Sequence, residues 1–224
     1  INNPKETFDT NVKGTENLLL SCVGNKISNF IAISSAAVYG HVKNYSIEEH
    51  FPTNPISPYG ESKLLMEQKI VKYSNDYDLN SLCLRLFNVY GKGQTDEYAG
   101  VITKFLQKIQ RSESLEIFGN GIQSRDFIHI SDVIDAIISS IHKIENKRGD
   151  CYNVGTETSV SINELANLML KLFSKDLKII HAPLKKGDIQ FSQASMKKTK
   201  NELNFEPKIS LNEGLMSLIK NFKI

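Results

Sequence analysis

An α/β fold built on a parallel sheet is predicted by three features of this sequence. Asn29-Phe30-Ile31-Ala32-Ile33-Ser34 and the stretch from Asn80 to Leu86 are short apolar runs of the kind that form fully buried strands. Between them a helix start is marked near Tyr59, so the order is strand, helix, strand, which implies a right-handed parallel crossover. Both runs end in polar and aromatic clusters, Ser34-Ser35-Ala36-Ala37-Val38-Tyr39-Gly40 and Arg85-Leu86-Phe87-Asn88-Val89-Tyr90-Gly91. In open α/β sheets ligands bind there, beyond the carboxyl ends of the strands.

The chain has 224 residues, enough for one or two domains with a sizeable core. Its 40% hydrophobic and 23% charged residues are those of an ordinary globular protein, and a net charge of +2 gives no sign of a nucleic-acid partner. Cys22, Cys83 and Cys151 are far apart and odd in number. That spacing suits neither a metal site nor a disulfide framework and points to a reducing, cytoplasmic compartment. No apolar run approaches ~18 residues, so no membrane span is expected, and no signal peptide is read.

In chain order, residues 4–21 read as a helix whose loose apolar face is Phe8, Val12, Leu18 and Leu19. Gly14 within it is expected to allow helix-to-sheet packing. After the first strand, residues 41–57 form a long connection punctuated by Pro52 and Pro55, and loops of this length are usually functional. The Asn44-Tyr45-Ser46 sequon is read as meaningless in a cytoplasmic chain. The helix at Tyr59 is expected to run to about residue 73, and the second strand follows. Residues 91–100 are turn-rich and lead away from the sheet layer. Val101, Phe105, Leu106 and Ile109 outline an amphipathic helix. Residues 115–118 read as a strand closed by Gly119-Asn120-Gly121, a turn rather than a dinucleotide fingerprint because the third glycine is missing.

Residues 125–130 alternate as a strand, with His129 read as a hydrogen-bonded core histidine. Ser131 or Asp132 is expected to cap the helix that follows. Residues 151–155 form another strand. Capping boxes at Ser161-Ile162-Asn163-Glu164 and Ser210-Leu211-Asn212-Glu213 open two further helices. The lysines of residues 197–200 read as a solvated face.

Tyr59 and Lys63 carry the chemistry. They are four residues apart and so share a helix face one turn apart. Ser57 is the expected N-cap and Pro58 the first helical residue. A phenol at a helix N-terminus with an ammonium one turn away is expected to ionise below its usual pKa of about 10, which would make Tyr59 a base. An exposed tyrosine and lysine at an ordinary helix start is the competing reading.

The ordered set Asn11-Val12-x-Gly14-Thr15, Ser34-Ser35-Ala36-Ala37-Val38-Tyr39-Gly40, Ser57-Pro58-Tyr59-Gly60-x-Ser62-Lys63, Arg85-Leu86-Phe87-Asn88-Val89-Tyr90-Gly91 and Arg125-Asp126-Phe127-Ile128-His129-Ile130-x-Asp132 resembles the extended short-chain dehydrogenase/reductase family. Within it, the chain is most similar to the nucleotide-sugar epimerases of the UDP-glucose 4-epimerase type. The resemblance implies the C-terminal half of a Rossmann-type doubly wound parallel sheet over residues 1–92. It implies a small mixed α/β nucleotide-sugar-binding region over residues 93–224, with residues 125–155 packing back on the sheet.

By the same resemblance Tyr59 is the catalytic base and Lys63 its partner, which also holds the nicotinamide ribose. Ser35 bonds the sugar hydroxyl being oxidised. Asn11 and Ser34 adjoin the cofactor, NAD. Asn88 and Arg125 meet the substrate diphosphate, Arg125 bidentately, while Phe118 lies near the uracil. Asp188 matches a late Arg-x-Gly-Asp pattern in which Lys185 stands at the arginine position, offering charge without a fork.

The implied reaction is transfer of hydride from C4 of a UDP-hexose to NAD as Tyr59 takes the O4 proton, followed by return to the other face of the 4-keto sugar. Dehydratases of the superfamily place an Asp-Glu pair where this chain has Ala36 and Ala37, so dehydration is not expected. A nucleotide-sugar reductase, or an inactive remnant that binds nucleotide sugar or a protein partner, remains open, as does the identity of the hexose. The family's glycine-rich turn and acidic ribose ligand lie upstream of its Asn-x-x-Gly-Thr motif. The expectation is therefore a chain lacking on the order of 80–90 residues at its N-terminus, without which weak or no NAD binding and no turnover are expected, and homodimeric in its full-length form.

Overall fold

The computed structural model describes residues 3–43, 46–94, 100–184 and 187–221. Its centre is a three-stranded parallel sheet of order β1-β2-β6, formed by β1 (Asn29–Ser35), β2 (Asn80–Leu86) and β6 (Arg148–Val154). Ile31 stands opposite Leu82 and Ser35 opposite Leu86; on the other side of β2, Cys83 faces Cys151. The crossover from β1 to β2 is α3 (Pro58–Tyr77), one turn longer than the sequence suggests. It ends where Asp78 takes a left-handed conformation.

The alternating side chains of β1 and β2 feed two different cores. Ala32 and Cys83 pack with Leu19 of α2 (Thr15–Gly24), Met66 and Ile70 of α3, and Leu79 just before β2, on one face. Leu82, Leu84, Tyr152 and Val154 pack with Val133 and Ala136 of α5 (Ile130–Lys143) on the other. The second core is completed from far along the chain by Ala194, Met196, Leu203 and Phe205, where α7 (Lys197–Leu203) crosses beneath the sheet. The lysine-rich stretch is therefore not merely a solvated face: Thr199 is buried, and the Lys198 ammonium sits over the Tyr152 ring at 4.5 Å.

Beyond β2 the chain forms β3 (Asn88–Tyr90), which pairs in parallel with β5 (Ser124–His129); β7 (Ser159–Ser161) joins β5 antiparallel. A parallel pair of β4 (Leu115–Phe118) and β8 (Ile179–Ala182) lies next to these strands. Their core is filled by α4 (Val101–Gln110), α6 (Ile162–Leu172) and α8 (Leu211–Asn221), through Phe105, Ile109, Leu165, Met169, Leu215 and Leu218. β3, β7 and β8 are three or four residues long, too short for their periodicity to be read from the sequence.

Two buried carboxylates lock the joints. Asp126 accepts from the backbone amides of Thr156, Glu157 and Ala194, and Asp132 from those of Lys208 and Ile209. The cap of α5 is His129 itself, whose Nδ1 accepts from the Ser131 amide at 3.2 Å, not Ser131 or Asp132. His129 is only partly buried, its ring edge-on to Tyr90.

The first helix departs from expectation. Residues 4–24 are interrupted by a π turn over Asp9–Gly14, between α1 (Pro4–Phe8) and α2. A Cβ on Gly14 would meet only the Asp9 carbonyl oxygen, at 3.7 Å, so the close helix-to-sheet approach read from the sequence is not found among the described residues. The glycine that does serve close approach is Gly60. A Cβ there would lie 2.5 Å from the Ala37 carbonyl oxygen and 3.0 Å from Pro55 Cβ. Gly60→Ala must push the first turn of α3 off the end of β1, and a loss of about 1–3 kcal/mol is expected. An unchanged urea midpoint would show that the turn yields freely.

Candidate active site

Ser35 is the last residue of β1 and caps the short 3-10 turn Ala36–Val38, its Oγ accepting from the Ala37 amide at 3.2 Å. Ser57 caps α3 by accepting from the Gly60 amide at 3.1 Å, and Pro58 occupies the first turn, as their residue types dictate. These two caps and the contact at Gly60 bring the first turn of α3 against the end of β1. The Ser35 side chain adjoins that of Tyr59 and lowers its pKa.

The electrostatics differ from the sequence expectation. Burial raises the Tyr59 phenol above its ordinary pKa, opposed by the adjoining Ser35 side chain. Lys63 does not offset this. Its Nζ donates to the Ile33 carbonyl at 2.8 Å and lies 5.9 Å from the centroid of the Tyr59 ring, beside the face instead of the oxygen. Burial lowers the pKa of Lys63 itself, with Cys83 and Glu67 acting against that. Spacing on a helix puts two residues on one face; it does not aim an ammonium at a particular atom.

Asn11 and Ser34, both expected beside the cofactor, turn their side chains inward. Asn11 Nδ2 donates to Ser62 Oγ at 2.9 Å, and Ser62 Oγ donates to the Tyr59 carbonyl at 2.8 Å, so the π turn braces the helix that carries Tyr59. The Ser34 hydroxyl is 2% exposed and donates to Glu67 at 2.5 Å. The strand's alternation sends Ser34 to the core and Ser35 to the site.

Glu67 anchors a network that the sequence reading missed. Arg85 grips it with two hydrogen bonds, Nε to Oε1 at 3.0 Å and Nη2 to Oε2 at 2.7 Å. Nη1 of Arg85 donates to the Tyr39 hydroxyl at 2.9 Å and to the Glu49 carbonyl at 3.1 Å. Burial works against the charge of Arg85, yet its bond to Glu67 and the surrounding groups hold its pKa above the usual value. The only signal in the sequence was Glu67 at four residues from Lys63, a spacing common on any helix.

Four of the expected substrate residues, Asn88, Phe118, Arg125 and Asp188, line one cleft of about 250 Å³ together with Lys104 and Glu116. Asn88 lies two residues beyond Leu86, the register partner of Ser35, so the cleft opens at the same end of the central sheet as Tyr59. The guanidinium of Arg125 is not a free fork: Nη2 meets Asp188 at 2.5 Å, and Nη1 meets the carbonyls of Ser124 and Ile189 at 2.8 and 2.5 Å. Burial lowers its pKa and Asp188 opposes that shift. Lys185 and the sequon residues Asn44 and Tyr45 lie outside the described residues. A second cavity of about 290 Å³, walled by Phe127, Thr156, Lys208 and Ser210, holds none of the expected residues. Among the described residues no cluster could hold a metal ion, and no helix is long and apolar enough to cross a membrane.

Comparison with known proteins adds five findings. A model of the NAD-dependent epimerase/dehydratase family matches residues 1–155. A Methanocaldococcus jannaschii protein named as a UDP-glucose 4-epimerase is 33% identical over 225 residues, covering all of this chain and 72% of that protein. A rice UDP-glucose 4-epimerase is 30% identical over 231 residues, covering 95% of this chain and 63% of its own length. Among solved structures, the Thermotoga maritima UDP-glucose 4-epimerase with UDP-glucose superposes with a TM-score of 0.94 at 32% identity, covering 99% of this chain and 72% of the other. The Bacillus cereus UDP-glucuronic acid 4-epimerase, in complex with UDP-glucuronic acid and NAD, gives a TM-score of 0.88 at 28% identity, covering 96% and 69% respectively.

Proposed function

From the membership of this chain in the NAD-dependent epimerase/dehydratase family, we propose that it serves the C4 epimerisation of a UDP-hexose, with Tyr59 as the proton-transferring group. The observation that carries this reading is the docking of the first turn of α3, which carries Tyr59, against the end of β1, which carries Ser35, through the caps at Ser57 and Ser35 and the contact of Gly60 with Ala37. NAD, when bound, supplies the acceptance and return of hydride. The residues present fit its nicotinamide ribose: Lys63 offers a half-buried ammonium held by one backbone carbonyl, a turn from Tyr59. The pyrophosphate end has no counterpart here, since these 224 residues contain no glycine-rich turn opening a helix.

The chain's own residues have separable tasks. Ser35 holds the reacting hydroxyl against the Tyr59 oxygen, within the ~3 Å that proton transfer requires. Tyr59 accepts that proton and returns it when the sugar presents its other face. Arg125 and Asn88 fix the nucleotide end, so binding energy from the diphosphate positions a distant C4. Ala36 and Ala37 leave no acid–base pair beside Ser35, which favours epimerisation over elimination of water.

The test is to incubate the full-length protein, with the cofactor's pyrophosphate site included, with NAD and UDP-glucose or UDP-galactose and follow interconversion by anion-exchange chromatography. Interconversion without net formation of NADH is the expected result. Stoichiometric consumption of reduced cofactor would make it a reductase, and UDP binding without turnover would make it a binding protein. Arg125→Lys keeps the charge but loses the paired geometry, so a UDP affinity about tenfold weaker is expected by titration calorimetry. Equal affinity in the two proteins would remove Arg125 from the nucleotide site.

A further inference from the structure

Ser34, Glu67 and Arg85 are buried polar side chains next to the site, at 2%, 3% and 6% exposure, and the chemistry just described uses none of them. Each belongs to a different element, and each adjoins a residue that acts. Ser34 on β1 precedes Ser35. Glu67 on α3 lies one turn beyond Lys63, itself one turn beyond Tyr59. Arg85 on β2 leads to Asn88 and reaches back to Tyr39 and the Glu49 carbonyl of the long connection. Asn153 on β6 closes the assembly, accepting from the Tyr39 hydroxyl at 2.7 Å and donating to the Ile47 carbonyl at 2.8 Å.

We propose that the buried Ser34–Glu67–Arg85 cluster is the positioning element of this site, setting the end of β1 and the Tyr59–Lys63 face of α3 in one fixed relation. This rests on the epimerase reading only for its effect on turnover; the geometry itself is independent of it. A backbone hydrogen-bond ladder cannot do this work, because α3 shares no ladder with β1. Apolar packing alone lets a helix slide or rotate on a sheet with little penalty. A carboxylate held by two hydrogen bonds from one strand and one from another has a single place to sit. Glu67 also contributes negative potential at Lys63, against the burial that lowers its pKa.

Positioning should be visible as a loss of rate and a change in titration without a loss of affinity. Ser34→Ala removes one hydroxyl and keeps the ion pair, so the fold is retained. In the full chain, turnover is expected to fall on the order of tenfold while KM for the UDP-sugar and calorimetric affinity for UDP stay within about twofold. Tyr59, observed by carbon-13 NMR of ring-labelled tyrosine, is expected to titrate at higher pH once its contact with Ser35 loosens. Glu67→Gln is expected to move the titration of Lys63, seen in labelled lysine, to lower pH; should that protein not fold, Ser34→Ala decides alone.

A Ser34→Ala protein with the Tyr59 titration of the parent overturns the proposal, as does one that loses UDP affinity in parallel with rate. Absence of turnover in the parent would refute the epimerase reading, and the two titrations would still decide the role of the cluster.

Discussion

Tyr59→Phe is expected to lower turnover by about 10²–10⁴-fold, the usual contribution of a positioned acid–base group, while UDP still binds. The substitution removes one oxygen at the edge of the site and leaves the ring that fills the first turn of α3. Initial rates and UDP calorimetry on the same preparation check both halves. A protein that turns over at the parent's rate would remove Tyr59 from the chemistry.

The direction of the pH dependence follows from burial. Because the phenol is held above its ordinary pKa, it is protonated at neutral pH, and removal of a sugar proton requires that oxygen free. The rate is therefore expected to rise with pH through the neutral range, and a rate flat from pH 6 to about 9 would contradict this environment for Tyr59. Ser35→Ala removes the adjoining hydroxyl that lowers the phenol, so it should move the rising limb further toward alkaline pH.

The largest expected effect on stability is at Arg85. With the side chain of Glu67 nearly sealed from water, Arg85→Met would leave a buried carboxylate with only the Ser34 hydroxyl, at a cost of about 3–5 kcal/mol. Removing both charges, Glu67→Met with Arg85→Met, should recover most of that, since an apolar pair of similar volume needs no compensation. Urea unfolding of the two proteins gives the comparison. If the single substitution is as stable as the parent, the carboxylate is being reached by water and is not buried in solution.

Much of the architecture was legible because it rests on local rules. The apolar runs at residues 29–34 and 80–86 read as buried parallel strands, and they are β1 and β2; β2 is internal and buried, while β1 stands at the edge of the described sheet with Ile33 exposed. Ser57, Ser161 and Ser210 announced helix starts through side chains whose geometry suits caps, and each accepts a backbone amide as its type requires, while Pro58 fills a first-turn position that needs no N–H. Asn88, Phe118, Arg125 and Asp188 come to one cleft although 100 residues separate the first and last.

What misled was every inference that needed a direction in space. Ser34 and Ser35 are chemically the same, and only the pleat sends one to Glu67 and the other to Tyr59. Lys63 lies on the predicted face, but its ammonium reaches the Ile33 carbonyl instead of the phenol. Gly14 and Gly60 are both unusual in a helix; one packs against nothing close, and the other has a carbonyl where its side chain would be.

The amino-acid sequence by itself determined the parallel α/β class, the helix starts and the placing of Tyr59 and Lys63 on one helix face, because strand burial, capping and helical spacing depend on near neighbours along the chain. Only the tertiary structure decided the protonation tendency of Tyr59, the pairing of Arg125 with Asp188 and the existence of the Glu67–Arg85 anchor. Desolvation and charge pairing depend on which distant groups share a volume from which water is excluded.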